Sequence, residues 1–205
     1  QNPLVAQVVP LSLGDSYQGY RIVGTTPDYV AHYRATLAEG ALWQQPMDAV
    51  LGASAARGIV KPDHAGQPLV GATFIGSHGL GGGGHAHGDH PYRVSGVLAP
   101  CGCVLDRLIL TSTESVWQVH EAATADDPED LEILKQEREV TVALVRYRTP
   151  LAAVSLPRAI NANTSMQAAA PAIEVTRLLR LLGVGADVLR AFGGVLLAVA
   201  ALSVF

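Results

Sequence analysis

The C-terminal end of the chain is one uninterrupted apolar run. Residues Ala191–Phe205 read AFGGVLLAVAALSVF and contain no charged side chain. As a helix the run would be about 22 Å long, whereas the hydrocarbon core of a bilayer is about 30 Å thick. It also has no Trp, Tyr, Lys or Arg to anchor its far end. We therefore expect the start of a transmembrane helix that the sequence cuts off; the alternative is a C-terminal helix docked into a core.

A helical pattern precedes this run and is amphipathic. It begins at Ala172, and its charged and apolar positions alternate with helical spacing until Arg190. This pattern predicts a stalk helix over 171–190 that leads into the apolar segment. Three arginines, Arg177, Arg180 and Arg190, precede the apolar segment, and the positive-inside rule alone would place that side in the cytoplasm.

The composition excludes some functions. The 205 residues are 49% hydrophobic, which supports a substantial core in one or two domains. The net charge is −4 and only Lys61 and Lys135 are lysines, so nucleic-acid binding, which needs clustered cations, is not expected. The chain begins with Gln1, and no signal-peptide pattern follows, as expected of a segment cut from a longer protein.

Strand and helix patterns alternate irregularly along the chain and predict an α+β fold with a mixed sheet. The predicted strands cover two segments joined by a turn within 4–20, then 20–25, 49–52, 69–75, 92–98, 105–110 and 140–147, the last of them apolar enough to be central. The predicted helices cover 27–37, ended by Gly40, then 53–58, 112–123, a segment from Asp127 to about 139, and 150–160. Thr111 and Glu114 form a capping box for the third helix, and Pro157 should kink or break the last. The acidic run 126–139 is expected to be a solvated helix face.

A glycine-rich loop carries four of the seven histidines. The segment HGLGGGGHAHGDH contains His78, His85, His87 and His90, with Asp89 between the last two. A flexible loop with H-x-H-x-x-H spacing can direct several imidazoles at one ion, and zinc takes four ligands, or three and a water. Glycines allow the wrapping but raise its entropic cost, so the affinity should be modest, and it should fall below about pH 6.5, where imidazole protonates. The alternative is a solvated hairpin tip without a metal.

Two cysteines, Cys101 and Cys103, follow one strand later. They are too close in sequence for an unstrained bridge to each other, so they are expected to be small apolar residues in a turn. The alternative is that one of them, as a thiolate, completes the metal-ligand set of the histidine loop.

No catalytic motif is recognisable in the sequence. Gly79, Gly81 and Gly84 satisfy G-x-G-x-x-G, but Pro91 and a strand follow where a dinucleotide-binding helix should begin. Neither a P-loop nor G-x-S-x-G occurs, and Asp89 is the one carboxylate near the histidines, which makes a metallohydrolase a remote third hypothesis. The chain is not expected to be an enzyme.

Several motifs, in order, resemble the extracytoplasmic domain of an FtsX/MacB-like ABC transporter permease. They are VGTTPDYV (23–30), LAEGALW (37–43), AVLGASAARG (49–58), YRVSGVLAP (92–100), DRLILTSTESVWQVHE (106–121) and the stalk pattern from 174 to the end. Each motif alone is weak, but their order together with the terminal apolar helix is more specific. The resemblance implies a domain on the periplasmic or external side of the bacterial inner membrane.

The resemblance also implies a domain organisation. A Porter-like part would comprise 1–19 and 125–170, and a Sabre-like part 20–124. The stalk helix would be 171–190, and 191–205 would be the truncated start of a transmembrane helix.

In such a transporter a separate ABC ATP-binding subunit hydrolyses ATP, and the permease transmits the motion to the outer domain. The permease would act as a homodimer or pair with a second permease. The alternative function is a periplasmic zinc-binding module that uses the histidine loop.

Overall fold

A computed structural model describes residues 2–59, 68–77, 90–124 and 127–203. The strands are β1 (Val5–Tyr17), β2 (Tyr20–Thr25), β3 (Leu37–Gly40), β4 (Asp48–Leu51), β5 (Thr73–Phe74), β6 (Tyr92–Leu98), β7 (Leu108–Ser112) and β8 (Val142–Tyr147). The helices are α1 (Pro27–His32), α2 (Ala53–Ile59), α3 (Thr113–Thr124), α4 (Pro128–Gln136), α5 (Ala152–Asn163) and α6 (Pro171–Leu202), with a 3₁₀ helix at Val104–Arg107. The predicted α+β class is confirmed.

The strands form one mixed sheet in the order β3-β6-β4-β7-β2-β1-β8, and β5 pairs with β6. The β2–β7 and β4–β6 pairs are parallel. The β1–β2, β4–β7, β3–β6 and β5–β6 pairs are antiparallel. By contacts the chain divides into two units, Gln7–Val145 and Gln1–Ala6 with Arg146–Phe205. The Porter-like and Sabre-like division remains a prediction.

The larger unit buries both faces of its sheet. Successive residues of a strand point to opposite faces, so Ile22 and Val23 on β2 enter different hydrophobic clusters. One cluster includes Ala55 of α2 and Val119 of α3. The other includes Tyr29 of α1. The short apolar strands of the sequence are therefore core strands.

In the first part of the chain, up to Phe74, several observed elements differ from the predicted ones. β1 is a single strand where two strands joined by a turn were predicted. Its pairing with β2 shifts register between Leu13 and Ser16, and this shift takes the place of the turn. α1 ends at His32, and residues 37–40 pair with β6 as β3, so Gly40 ends a strand. The predicted strand 69–75 is reduced to Thr73–Phe74.

Three differences lie further along the chain. A 3₁₀ helix replaces the start of the predicted strand 105–110. β8 lies at the end of the strand order and is half-exposed, so the predicted central strand is an edge strand. α5 continues through Pro157, which removes one N–H donor while flanking turns keep bonds such as Ser155 N–H to the Leu151 carbonyl.

The helix caps follow local chemistry. Asp127 accepts hydrogen bonds from the backbone N–H groups of Glu129 and Asp130, as predicted for the start of α4. At α3 the capping side chain is Ser112, whose Oγ accepts from the Ser115 N–H at 3.1 Å. Thr111 is instead buried in β7 and donates to the Asp48 carbonyl, which corrects the predicted capping box.

Candidate functional site

The C-terminal helix α6 is the most distinctive element of the smaller unit. The predicted stalk and the apolar segment form one continuous helix of 32 residues, Pro171–Leu202, about 48 Å long. Its large apolar side chains are exposed, from Ile173 at 49% to Leu202 at 78%. By length and composition α6 is the one helix in the described part of the chain that is able to cross a membrane.

Two pairs of oppositely charged residues lie along the surface of α6. Arg190 Nη1 lies 3.1 Å from Asp187 Oδ1, and Arg177 Nη1 lies 4.0 Å from Glu174 Oε2. Between Leu181 and Leu202 the charged side chains are Asp187 and Arg190. From Ala191 to Leu202 the helix has no charged side chain over about 18 Å, which is shorter than the roughly 30 Å of a bilayer core.

Both flanks of the histidine-rich loop are anchored in the larger unit. Before the loop, Ser77 and Ser16 exchange two backbone hydrogen bonds of 2.9 Å. After the loop, Tyr92 is 1% exposed and its ring stacks on Phe74 of β5 at 5.4 Å. A chain that leaves at Ser77 and returns at Tyr92 thus starts and ends on one sheet.

Four of the five predicted zinc ligands are not placed by the structure. His78, His85, His87 and Asp89 lie outside the described residues, and His90 is half-buried just before β6. Within the described ranges no three His, Cys, Asp or Glu side chains are grouped to hold a metal. The zinc site remains a prediction.

Cys101 and Cys103 form a disulfide bond, which corrects the expectation that they are separate small apolar residues or metal ligands. Gly102 has a φ of +64°, and the turn brings the two Cα atoms to 5.2 Å, inside the usual range for disulfides. Sequence reasoning treated the spacing as prohibitive, whereas the glycine between the cysteines provides the left-handed conformation that the turn needs.

An aspartate of the following 3₁₀ helix holds this turn. Asp106 Oδ1 accepts from the Cys101 N–H and Oδ2 from the Gly102 N–H, both at 2.9 Å. The same Oδ1 lies 3.3 Å from Cys101 Sγ. The turn is therefore constrained by a carboxylate as well as by the disulfide.

Two buried carboxylates outside these elements are ion-paired. Asp48 is 3% exposed and accepts from Arg93 Nε and Nη2 at 3.2 and 2.8 Å. Burial alone would raise the pKa of Asp48, but hydrogen bonds from Arg93 and the Gln44 N–H, with the arginine charge, lower it below its usual value. These contacts explain how a carboxylate is accommodated in the core of the larger unit.

The second pair joins α3 to the segment after α4. Arg138 donates from Nε and Nη2 to the two oxygens of Glu121, at 2.6 and 3.0 Å. Its guanidinium lies 5.3 Å from the centre of the Trp117 ring, and Trp117 Nε1 donates to the Glu139 carbonyl at 2.7 Å. The hydrogen bonds from Arg138 lower the pKa of Glu121, against the opposing effect of burial. Both pairs fix elements together and have a structural role.

The fold is similar to those of solved transporter domains. The periplasmic region of MacB from Actinobacillus actinomycetemcomitans matches over 86% of this chain and 77% of its own length, with a TM-score of 0.53 and 14% identity. The chain has a MacB-like fold. The extracellular domain of the ABC-type transporter YknZ from Gram-positive bacteria matches over 78% of this chain and 77% of its own, with a TM-score of 0.45 and 14% identity.

Sequence comparison adds nothing to this result, since no protein-family model and no curated protein matches the chain. The MacB-like resemblance read from the sequence motifs is confirmed at the level of the fold. Along the chain, the long helix α6 comes after all the strands and the shorter helices.

Proposed function

We propose that this chain is the extracytoplasmic domain of an ABC transporter permease in the inner membrane of a bacterium. A separate ATP-binding subunit hydrolyses ATP in the cytoplasm, and this domain moves or releases substrate on the outer side. The observation that carries the proposal is the MacB-like fold continuing directly into an exposed apolar helix. The permease pairs with a second copy or with a second permease, and it is not itself an enzyme.

The continuity of α6 supports a role in transmitting force. The only proline in this helix is Pro171, at its start, where proline does not disturb the hydrogen bonds. A helix without a break transmits displacement along its axis. Motion of the membrane segment would therefore reach the domain that precedes Pro171.

The disulfide supports an external location. Disulfides form and persist in oxidising compartments such as the periplasm and the cell surface, and they are rare in the bacterial cytoplasm. An external location for Cys101–Cys103 is the opposite of the placement that Arg177, Arg180 and Arg190 would suggest by the positive-inside rule. Translocated domains largely escape that rule.

A helix-breaking substitution tests force transmission. Gly183 lies in α6, and a Cβ built there meets nothing within 4 Å, so Gly183→Ala should keep the helix and Gly183→Pro should break it. The full-length permease is reconstituted with its ATP-binding subunit in nanodiscs. A fluorescent amino acid replaces exposed Glu129, and the acceptor is attached to the ATP-binding subunit.

The expected result is an ATP-dependent change in energy transfer for the wild type and Gly183→Ala, and its loss in Gly183→Pro. Co-purification with the ATP-binding subunit shows whether each variant still assembles. A response in the assembled Gly183→Pro protein equal to the wild type would refute transmission along α6. An absent response in the wild type would refute the coupling altogether.

We propose as a second candidate that the histidine loop binds zinc. The observation favouring it is that Ser77 and Tyr92, on either side of the loop, are both fixed to the sheet. Fixed ends lower the entropy lost when a loop closes around an ion. The ligands would come from His78, His85, His87 and His90, with Asp89.

Calorimetric titration of the chain with zinc tests this candidate. Stoichiometric binding is expected near neutral pH and weaker binding at about pH 5.5, because zinc binds neutral imidazole. The double variant His85→Ala/His87→Ala should lose binding, while the control His32→Ala, an exposed histidine on α1, should keep it. Equal binding by both variants would refute the loop as the site.

A further inference from the structure

The Cys101–Cys103 bridge closes a turn at the end of β6 that contains a single intervening residue. We propose that this disulfide is a thiol–disulfide exchange site and that its partner is a protein dithiol. The inference goes beyond the permease function and depends on no membrane contact. It follows from the size of the closed loop, the contacts of Asp106 and the exposure of the turn.

The disulfide is expected to contribute little to the stability of the fold. A disulfide stabilises mainly by restricting the unfolded chain, and the effect grows with the number of residues in the closed loop. By that relation, closing three residues gives about half the stabilisation of closing fifteen. A stabilising role therefore accounts for this pair of cysteines less well than it would for a long-range bridge.

The turn is also held without the bridge. Asp106 accepts from the N–H groups of both Cys101 and Gly102, and it belongs to the adjoining 3₁₀ helix. These two bonds do not involve sulfur. Breaking the S–S bond therefore leaves the backbone contacts of the turn in place, so that the bridge is able to open and close within the folded protein.

The turn is accessible to another protein. Gly102 is exposed and the two cysteines are half-buried. Val104, directly after the bridge, is 46% exposed, and Leu37, which pairs with Leu98 at the end of β6, is 38% exposed. Exposed apolar side chains beside an exposed turn suit contact with a polypeptide partner.

The exchange proceeds in two steps. A thiolate of the partner attacks one sulfur, the S–S bond breaks, and the other sulfur leaves as a thiolate that takes up a proton. The partner's second thiolate then attacks the mixed disulfide and releases the second cysteine. The partner dithiol is oxidised to a disulfide by two electrons, and Cys101 and Cys103 are reduced to two thiols.

Asp106 makes the two sulfurs differ in how readily each leaves as a thiolate. Its Oδ1 lies 3.3 Å from Cys101 Sγ, so the negative charge disfavours a thiolate at Cys101. Once reduced, Cys101 donates its S–H to that carboxylate in a charge-assisted hydrogen bond, which stabilises the dithiol form. Cys103 is consequently the better leaving group, and the mixed disulfide should form on Cys101.

Equilibration with glutathione tests the proposal on the intact, folded chain. The protein is incubated without denaturant in mixtures of reduced and oxidised glutathione, quenched with acid, alkylated and analysed by mass spectrometry. We expect reversible reduction at millimolar glutathione, and the glutathione adduct mapped to Cys101. A bridge that stays oxidised at every ratio until the protein is denatured would overturn the proposal.

Two aspartate variants separate the role of Asp106 from a general capping effect. Asp106→Asn should need several-fold more reduced glutathione to reach half reduction. Asp127→Asn is the matched control, since Asp127 also accepts two backbone N–H bonds but caps α4 away from any cysteine, and it should titrate like the wild type. If Asp106→Asn fails to fold, the position of the adduct in the wild type still decides: an adduct on Cys103 contradicts the assignment of the leaving group.

Discussion

Glu121 shows how one buried charge is stabilised by its neighbours. The residue is 7% exposed, and both of its carboxylate oxygens accept hydrogen bonds from Arg138, which also lies over Trp117. Removing one partner of a buried pair leaves the other without compensation. The pair therefore contributes stability that depends on the ionisation of Glu121.

Glu121→Gln should lower the free energy of unfolding by about 1–3 kcal/mol near neutral pH. The pKa of Glu121 in the folded protein is below its ordinary 4.5, so its contribution is complete above that value and is lost as the pH falls through the lower, folded-state pKa. The difference between wild type and variant should thus narrow as the pH is lowered below the ordinary pKa of 4.5. Denaturant unfolding followed by tryptophan fluorescence measures it.

The control for this prediction is Glu129→Gln, which changes an exposed glutamate of α4. This substitution should change the free energy of unfolding by no more than about 0.5 kcal/mol, both near neutral pH and at acidic pH. A constant difference between wild type and Glu121→Gln down to low pH would contradict the assigned role of ionisation.

Gly52 is needed because the chain packs closely at the end of β4. A Cβ at this position would lie 1.9 Å from the Leu105 carbonyl oxygen, which belongs to the 3₁₀ helix. Gly52→Ala should therefore destabilise the protein by about 1–3 kcal/mol, through a forced backbone shift. Thermal unfolding compared with Gly183→Ala, which introduces the same methyl group in open space, checks this; equal effects of the two would contradict it.

The sequence predicted some local contacts correctly and missed others. Asp127 before Pro128 identified a helix start correctly, because a cap depends on adjacent residues alone. Gly52 and the disulfide were not readable, since the first depends on a carbonyl 53 positions away and the second on the φ of Gly102. Residue-level predictions succeed where the identities of adjacent residues decide a contact, and they fail where a distant contact or a particular backbone conformation decides it.

At the scale of elements, the hydrophobic pattern predicted where strands lie in the sequence better than it predicted which strands are central in the sheet. β2 and β6 match their predicted bounds, 20–25 and 92–98. β8 is as apolar as a core strand but lies at the edge, with Val142 41% exposed. Neighbour order is set by long-range pairing, such as that of β2 with β7, which no short window contains.

Pro157 makes α5 a test of helix energetics. The proline lies inside the helix Ala152–Asn163 and cannot donate the backbone hydrogen bond of its position. Pro157→Ala restores that donor, so the free energy of unfolding should rise by up to about 3 kcal/mol. Hydrogen exchange across 152–163 should slow accordingly. Unchanged or faster exchange would mean that the proline's restriction of the unfolded chain outweighs the lost bond.

At the scale of the whole molecule, the sequence motifs identified the fold although no single motif was specific. The MacB-like match covers 86% of the chain at 14% identity, so what is shared is the arrangement of elements. The histidine loop is a different case, because neither the fold nor the described residues place its ligands. The fold was therefore predictable from the order of motifs, whereas the zinc site stays a prediction, since four of its five proposed ligands lie outside the described residues.

The proposed insertion of α6 into a bilayer predicts that a charge placed in its apolar segment weakens membrane association, and a pair of charge substitutions tests it. Leu178 and Val195 are similarly exposed, at 57% and 60%, but only Val195 lies in the apolar segment. An arginine near the centre of a membrane helix costs about 2.5–3.5 kcal/mol, whereas one in an aqueous stalk costs little. Val195→Arg should therefore reduce the share of protein in the membrane fraction, and Leu178→Arg should not. Equal partitioning of both variants would show that α6 enters no membrane and would remove the anchor from the proposed permease.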